Sequence, residues 1–119
     1  MGDLRSQILG AEDIKREKVS VPEWDGAEFY ITTITGAERD QFEQSMVTGK
    51  GKRRDVSVIN ARAKLLTLAI VDEEGKRIFS DADVAGLGAK SAAVLSRLYD
   101  IAAKLNGITD EEIDELEKN

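Results

Sequence analysis

Apolar positions along this chain change their spacing several times, and each change marks a new element. From Leu4 to Glu17 they fall at Leu4, Ile8, Leu9 and Ile14, a partial helical stripe. Asp3 is placed to cap that helix and Gly10 weakens its middle. From Lys18 the spacing shortens to alternation in "KVSVPEW", then comes "AEFYITTIT", rich in β-branched and aromatic residues. Asp25-Gly26 between them is a hairpin turn signal. The pattern predicts a two-stranded hairpin of 18–24 with 28–34. Pro22 cannot donate a ladder hydrogen bond, which places the first strand at an edge. A hairpin alone is marginal in water, so it must lie against helices.

Helical spacing returns at "TGAERDQFEQSMV". Thr35 and Glu38 have the spacing of a capping box, and Phe42, Met46 and Val47 face inward. "TGKGKRRD" interrupts it. The strongest helix follows, with Asp55 as cap and one stripe through Ile59, Ala63, Leu66 and Ile70. Val58, Leu65, Leu68 and Ala69 widen that stripe, as expected of a central helix. We expect it to run to about Val71; the competing reading makes "LAIVDEEGKRIF" a short hairpin around Glu74-Gly75. Ser80 and Asp83 repeat the capping-box spacing ahead of a short helix ending at Gly86 or Gly88. Val94, Leu98, Ile101 and Leu105, with Leu95 and Ala102, line one side of the next helix, which Asn106-Gly107 ends. "ITDEEIDELEKN" reads as a last short helix with Ile113 and Leu116 on one face. The fold class is mainly α: a small helical domain with one N-terminal two-stranded β-hairpin packed on helices. Residues 1–119 read as one domain, divided into an N-terminal helix at 4–17, hairpin at 18–34, helical core at 35–107 and C-terminal helix at 109–118.

Composition then narrows the chemistry. The chain has 119 residues and neither cysteine nor histidine. That removes disulfides, thiolates, and every Ser-His or Cys-His nucleophile pair. No apolar run has the length of a membrane span, and "MGDLRSQILGAED" lacks the apolar stretch of a secretory signal. A net charge of −6 argues against general affinity for nucleic acid. The one local exception is the loop carrying Lys50, Lys52, Arg53 and Arg54, which reads as a solvated loop or as a contact for an anion or partner. No aromatic is interleaved with it for base stacking.

"VDEEGKRIFSDAD" gathers Asp72, Glu73, Glu74, Asp81 and Asp83. A calcium loop needs oxygen ligands at alternate positions, and here "GKRIF" interrupts them. We read Asp72, Glu73 and Glu74 as flanking a turn at Gly75, and Asp81 and Asp83 as first-turn acids of a helix. No catalytic residue, metal ligand or cofactor site emerges, and the chain does not read as an enzyme.

The stretch "AKLLTLAIVDEEGKRIFSDADVAGLGAKSAAVLSRLYDIAAKLNGIT" resembles the tail assembly chaperones of long, non-contractile-tailed bacteriophages and related prophages. The residues that carry the resemblance are Asp72, Gly75, Phe79, Ser80, Asp83, Leu87, Leu95, Leu98, Leu105, Asn106 and Gly107. Upstream, "KVSVPEWDGAEFYITTITGAERDQFE" is similar as well, so the resemblance spans about residues 18–109. It implies a non-enzymatic protein in the cytoplasm of the bacterial host. Such a protein binds the tape measure protein, hands over to the tail tube protein, associates with itself, and is absent from the finished virion. The lack of a membrane-length apolar run argues separately against a membrane partner. Many relatives are made in two lengths by ribosomal frameshifting, and Glu117-Lys118-Asn119 can be encoded by an adenine run of the kind that permits a backward slip. A chaperone of helices needs apolar strips left over from its own core. The candidates are Leu4, Ile8 and Leu9 at one end and Ile113 and Leu116 at the other. The alternatives are a structural tail completion or connector protein, and a small nucleic-acid-binding regulator using the Lys/Arg loop.

Overall fold

The computed structural model describes residues 3–48, 55–56 and 60–108. Helix α1 (Leu4–Leu9) is followed by strands β1 (Arg16–Val21) and β2 (Ala27–Thr32), then by α2 (Gly36–Ser45). Two short strands, β3 (Val47–Thr48) and β4 (Asp55–Val56), pair antiparallel. Helix α3 (Ala61–Ala69) runs directly into β5 (Ile70–Val71), and α4 (Val84–Gly88) and α5 (Ala92–Asn106) complete the described elements.

The first helix stops well short of the expected 4–17. Gly10 closes α1 as its C-cap, and by Lys15 the chain has joined the sheet, its carbonyl accepting from the Thr33 N–H at 2.8 Å. The strands accordingly begin earlier than 18–24 and 28–34. The first residues of β1, Arg16 and Glu17, are polar and exposed, so no apolar alternation announces that strand. Pro22 opens a single 3-10 turn over Pro22–Trp24, after which Asp25 and Gly26 take positive φ of 57° and 72°. β1 is an edge strand, as Pro22 foretold.

The sheet has three strands, not two, in the order β1-β2-β5, all antiparallel. This corrects the helix expected to reach Val71. Ile70 and Val71 turn extended and pair with Ile31 and Tyr30 of β2. The competing hairpin reading applies in part: Val71 bridges Arg77, and Gly75 takes a φ of 85° in the turn between them. A β2 strand with only one neighbour leaves its second row of backbone groups unmet, and β5 meets part of it. The start of α3 differs too. Asp55 lies in β4 rather than capping α3, which begins after Asn60 in a left-handed conformation. Val58 and Ile59 lie outside the described residues.

α3 is the centre of the core. Leu65, Leu66, Thr67, Leu68 and Ala69 are consecutive and all buried, so this helix is enclosed on every side. α5 packs Val94, Leu95, Leu98 and Ala102 into the same cluster, while Ile101 and Leu105 sit half-buried at its margin. The sheet contributes Val21, Phe29 and Ile31, α2 contributes Phe42, and Met46 follows it. Each fully buried Leu or Ile here stabilises by about 1.5–3 kcal/mol relative to an exposed one.

Two polar contacts lock α5 to the sheet. Arg97 grips Glu23 with two nitrogens at 2.8 and 3.0 Å, tying the helix to the Pro22–Trp24 turn. Asn106 accepts from the Ile34 N–H at 2.7 Å and donates to the carbonyls of Thr32 at 3.3 Å and Ala102 at 2.8 Å. Gly107 then takes a φ of 64° and Ile108 turns back into the core, its N–H on the Ala103 carbonyl at 2.9 Å.

Candidate functional site

Every residue from Asp3 to Lys18 is exposed, and α1 buries nothing. Its N-terminus is ordered locally. The Asp3 carboxylate accepts from the Ser6 N–H at 2.7 Å, a bond that holds its pKa below the usual carboxylate value. Leu4 and Ile8 stand one turn apart on one face with Leu9 beside them, and the three are 68, 62 and 68% exposed. Ile14, between α1 and β1, is also exposed. Six residues are too few for a helix to be stable by itself in water. An apolar face on such a helix is a surface suited to being covered by another apolar face.

The acidic stretch has structural roles. The Asp72 carboxylate accepts from the N–H groups of Lys76 at 3.0 Å and Glu74 at 2.8 Å, closing the turn at Gly75. These bonds, led by that from Lys76, lower its pKa. Asp83 and Ser80 form the capping box their spacing predicts, with the Ser80 N–H on the Asp83 carboxylate at 2.8 Å. Asp81 accepts from Arg77 and Gln41, both at 3.2 Å. Arg77 also donates to the Thr67 carbonyl at 2.9 Å, fastening this stretch to α3. Among the described residues no group of three or more carboxylates is placed to hold a metal ion.

A cleft of about 280 Å³ opens between α2, α3 and α4. Phe42, Leu68 and Val84 form its apolar lining. Its rim groups are engaged with one another: Gln41 with Asp81, and Lys64 with the Ser45 carbonyl at 2.7 Å. The sequence reading did not find this cleft, because its lining comes from three elements that only packing brings together. Nor did it single out Ile78, which is exposed on the arm after β5.

Of the expected binding residues, Leu4, Ile8 and Leu9 are brought together on α1. Ile113 and Leu116 lie outside the described residues, as do Lys50, Lys52, Arg53 and Arg54. Among the described residues no helix is long and apolar enough to cross a membrane.

Over residues 3–119 the sequence matches the family model described as phage tail assembly chaperone. The fold is similar to that of the bacteriophage HK97 tail assembly chaperone, with a TM-score of 0.59 and 21% identity over 85% of this chain and 95% of that one. No curated protein matches the chain.

Proposed function

The chain belongs to the phage tail assembly chaperones, and from that premise we propose that it holds the tape measure protein through the exposed apolar face of α1. The client is kept soluble in the host cytoplasm until the tail tube protein polymerises around it. The observation that carries this reading is α1 itself: Leu4, Ile8 and Leu9 are about two-thirds exposed on a helix that buries none of its residues. Folding of the described core has no use for them. Covering the remaining area of each is worth about 1–2 kcal/mol before the cost of ordering the partners. A helical client presenting apolar residues at i, i+3 and i+4 has the matching geometry. The net charge of −6 favours solubility of a chaperone–client assembly and disfavours nucleic acid as partner.

The test is calorimetric titration of the full chain with soluble segments of the tape measure protein, repeated with the Leu4→Ser/Ile8→Ser/Leu9→Ser variant. We expect the triple variant to bind at least about thirtyfold more weakly, matching roughly 2 kcal/mol of lost contact. Its urea midpoint should not change. Unaltered affinity would remove α1 from the client surface. Failure of the unmodified chain to bind any segment would overturn the client assignment, and recovery of the protein in purified virions would favour a structural tail component instead.

A further inference from the structure

We propose that Asn106 is a deamidation site gated by the docking of α5 on the sheet: docked, its amide is inert, and released, it converts to aspartate or isoaspartate and cannot dock again. Asn106 is the one asparagine of the chain that is followed by glycine. Glycine has no Cβ, so its backbone nitrogen can close on the preceding side chain without a clash. Asn106 is half-buried and Gly107 is exposed, so solvent base and water reach the junction between them. In the reaction solvent base takes the proton of the Gly107 nitrogen, which then bonds to the Asn106 side-chain carbonyl carbon. The bond from that carbon to Nδ2 breaks, and the amide leaves as ammonia with a proton from solvent. Water opens the resulting five-membered imide at either carbonyl carbon, giving aspartate or isoaspartate.

The docked geometry opposes each part of this step. The amide is held at both ends, Oδ1 by the Ile34 N–H at 2.7 Å and Nδ2 by the carbonyls of Thr32 and Ala102 at 3.3 and 2.8 Å. Turning its carbon onto the Gly107 nitrogen breaks all three bonds. That nitrogen is itself turned to the Lys104 carbonyl at 3.4 Å, and the next N–H, of Ile108, is fixed on the Ala103 carbonyl at 2.9 Å. Once α5 leaves the sheet, none of these restraints remains. The products do not fit the old place. Aspartate has no donor for the Thr32 and Ala102 carbonyls. Isoaspartate lengthens the main chain by one carbon, just where Gly107 holds a φ of 64° and Ile108 turns into the core. Loss of folded chain thus follows the time that α5 spends undocked. This chemistry is independent of α1 and of any client.

The experiment follows the tryptic peptide carrying Asn106 by mass spectrometry, in the full chain at mildly alkaline pH, folded and in guanidinium chloride. We expect amide loss in denaturant and a rate at least about tenfold lower in the folded chain, where only the open form reacts. Equal rates, or no amide loss in denaturant, overturn the proposal. Leu98→Ala removes a buried side chain that packs α5 into the core and should raise the rate under folding conditions. Leu4→Ser, on the undocked α1, should leave it unchanged. A Leu98→Ala rate no higher than that of Leu4→Ser overturns the gating. In denaturant, Gly107→Ala should slow amide loss several-fold, because a Cβ crowds the attacking nitrogen; an undiminished rate overturns the imide route. After removal of denaturant, chains with the acid at position 106 should stay unfolded or unfold at lower urea than unmodified chains. An identical urea midpoint overturns the bar to docking.

Discussion

Asn106→Ala tests whether one half-buried amide holds α5 to the sheet. The side chain makes three hydrogen bonds: from the Ile34 N–H at 2.7 Å, and to the carbonyls of Thr32 and Ala102 at 3.3 and 2.8 Å. Truncation leaves the Ile34 N–H, on a residue buried in the core, without its acceptor. An orphaned buried donor costs about 1–3 kcal/mol, and each carbonyl loses a bond worth about 0.5–1.5 kcal/mol that water partly replaces. The expected loss is therefore about 2–3 kcal/mol. That is a large share of the roughly 5–15 kcal/mol typical of a natural domain. Urea unfolding followed by circular dichroism measures it directly. Asn106→Asp should also destabilise, because a carboxylate keeps the Ile34 acceptor but presents oxygen to two carbonyls. Lys104→Ala, on the exposed side of the same helix, should stay within about 0.5 kcal/mol. If Asn106→Ala also stays within about 0.5 kcal/mol, water serves these groups and the amide does not fasten helix to sheet.

Three further outcomes are expected. Arg97's guanidinium holds the Glu23 pKa at about 2, below its ordinary 4.5. A depressed carboxylate contributes stability that is fully present above about 4.5 and is lost as pH falls towards about 2. The urea midpoint of Glu23→Gln should thus fall less across that window than that of the unmodified chain; parallel curves would refute the pair's contribution. Leu66→Ala, at a fully buried position of α3, should cost about 3–5 kcal/mol in urea unfolding, and a loss under about 1 kcal/mol would mean α3 is not enclosed as described. Gly107→Ala forces a side chain into left-handed backbone and should cost about 1 kcal/mol in thermal unfolding; no loss would mean that the turn relaxes to negative φ.

Features with short-range causes were legible from residue order. Thr35 with Glu38 and Ser80 with Asp83 form capping boxes because both partners lie within one helical turn. Asp3 caps α1, and Asn106-Gly107 ends α5, for the same reason. Ile70 and Val71 were not legible. Apolar on all sides, they fit a buried helix or a buried strand equally well, and the open edge of β2 decides. The start of β1 escaped because Arg16 and Glu17 are exposed and give no alternation.

The candidate surface divides in the same way. Spacing alone marks Leu4, Ile8 and Leu9 as one apolar face, since helical periodicity is a property of neighbours three and four apart. Whether that face is docked depends on what the rest of the chain places beside it, and only the packed structure shows it exposed. Asn106 makes the same point from inside the core. The sequence determined it as a helix-ending residue. Its bonds to Thr32 and Ile34 join positions more than seventy residues apart, and only the tertiary structure brings those groups within 3.3 Å.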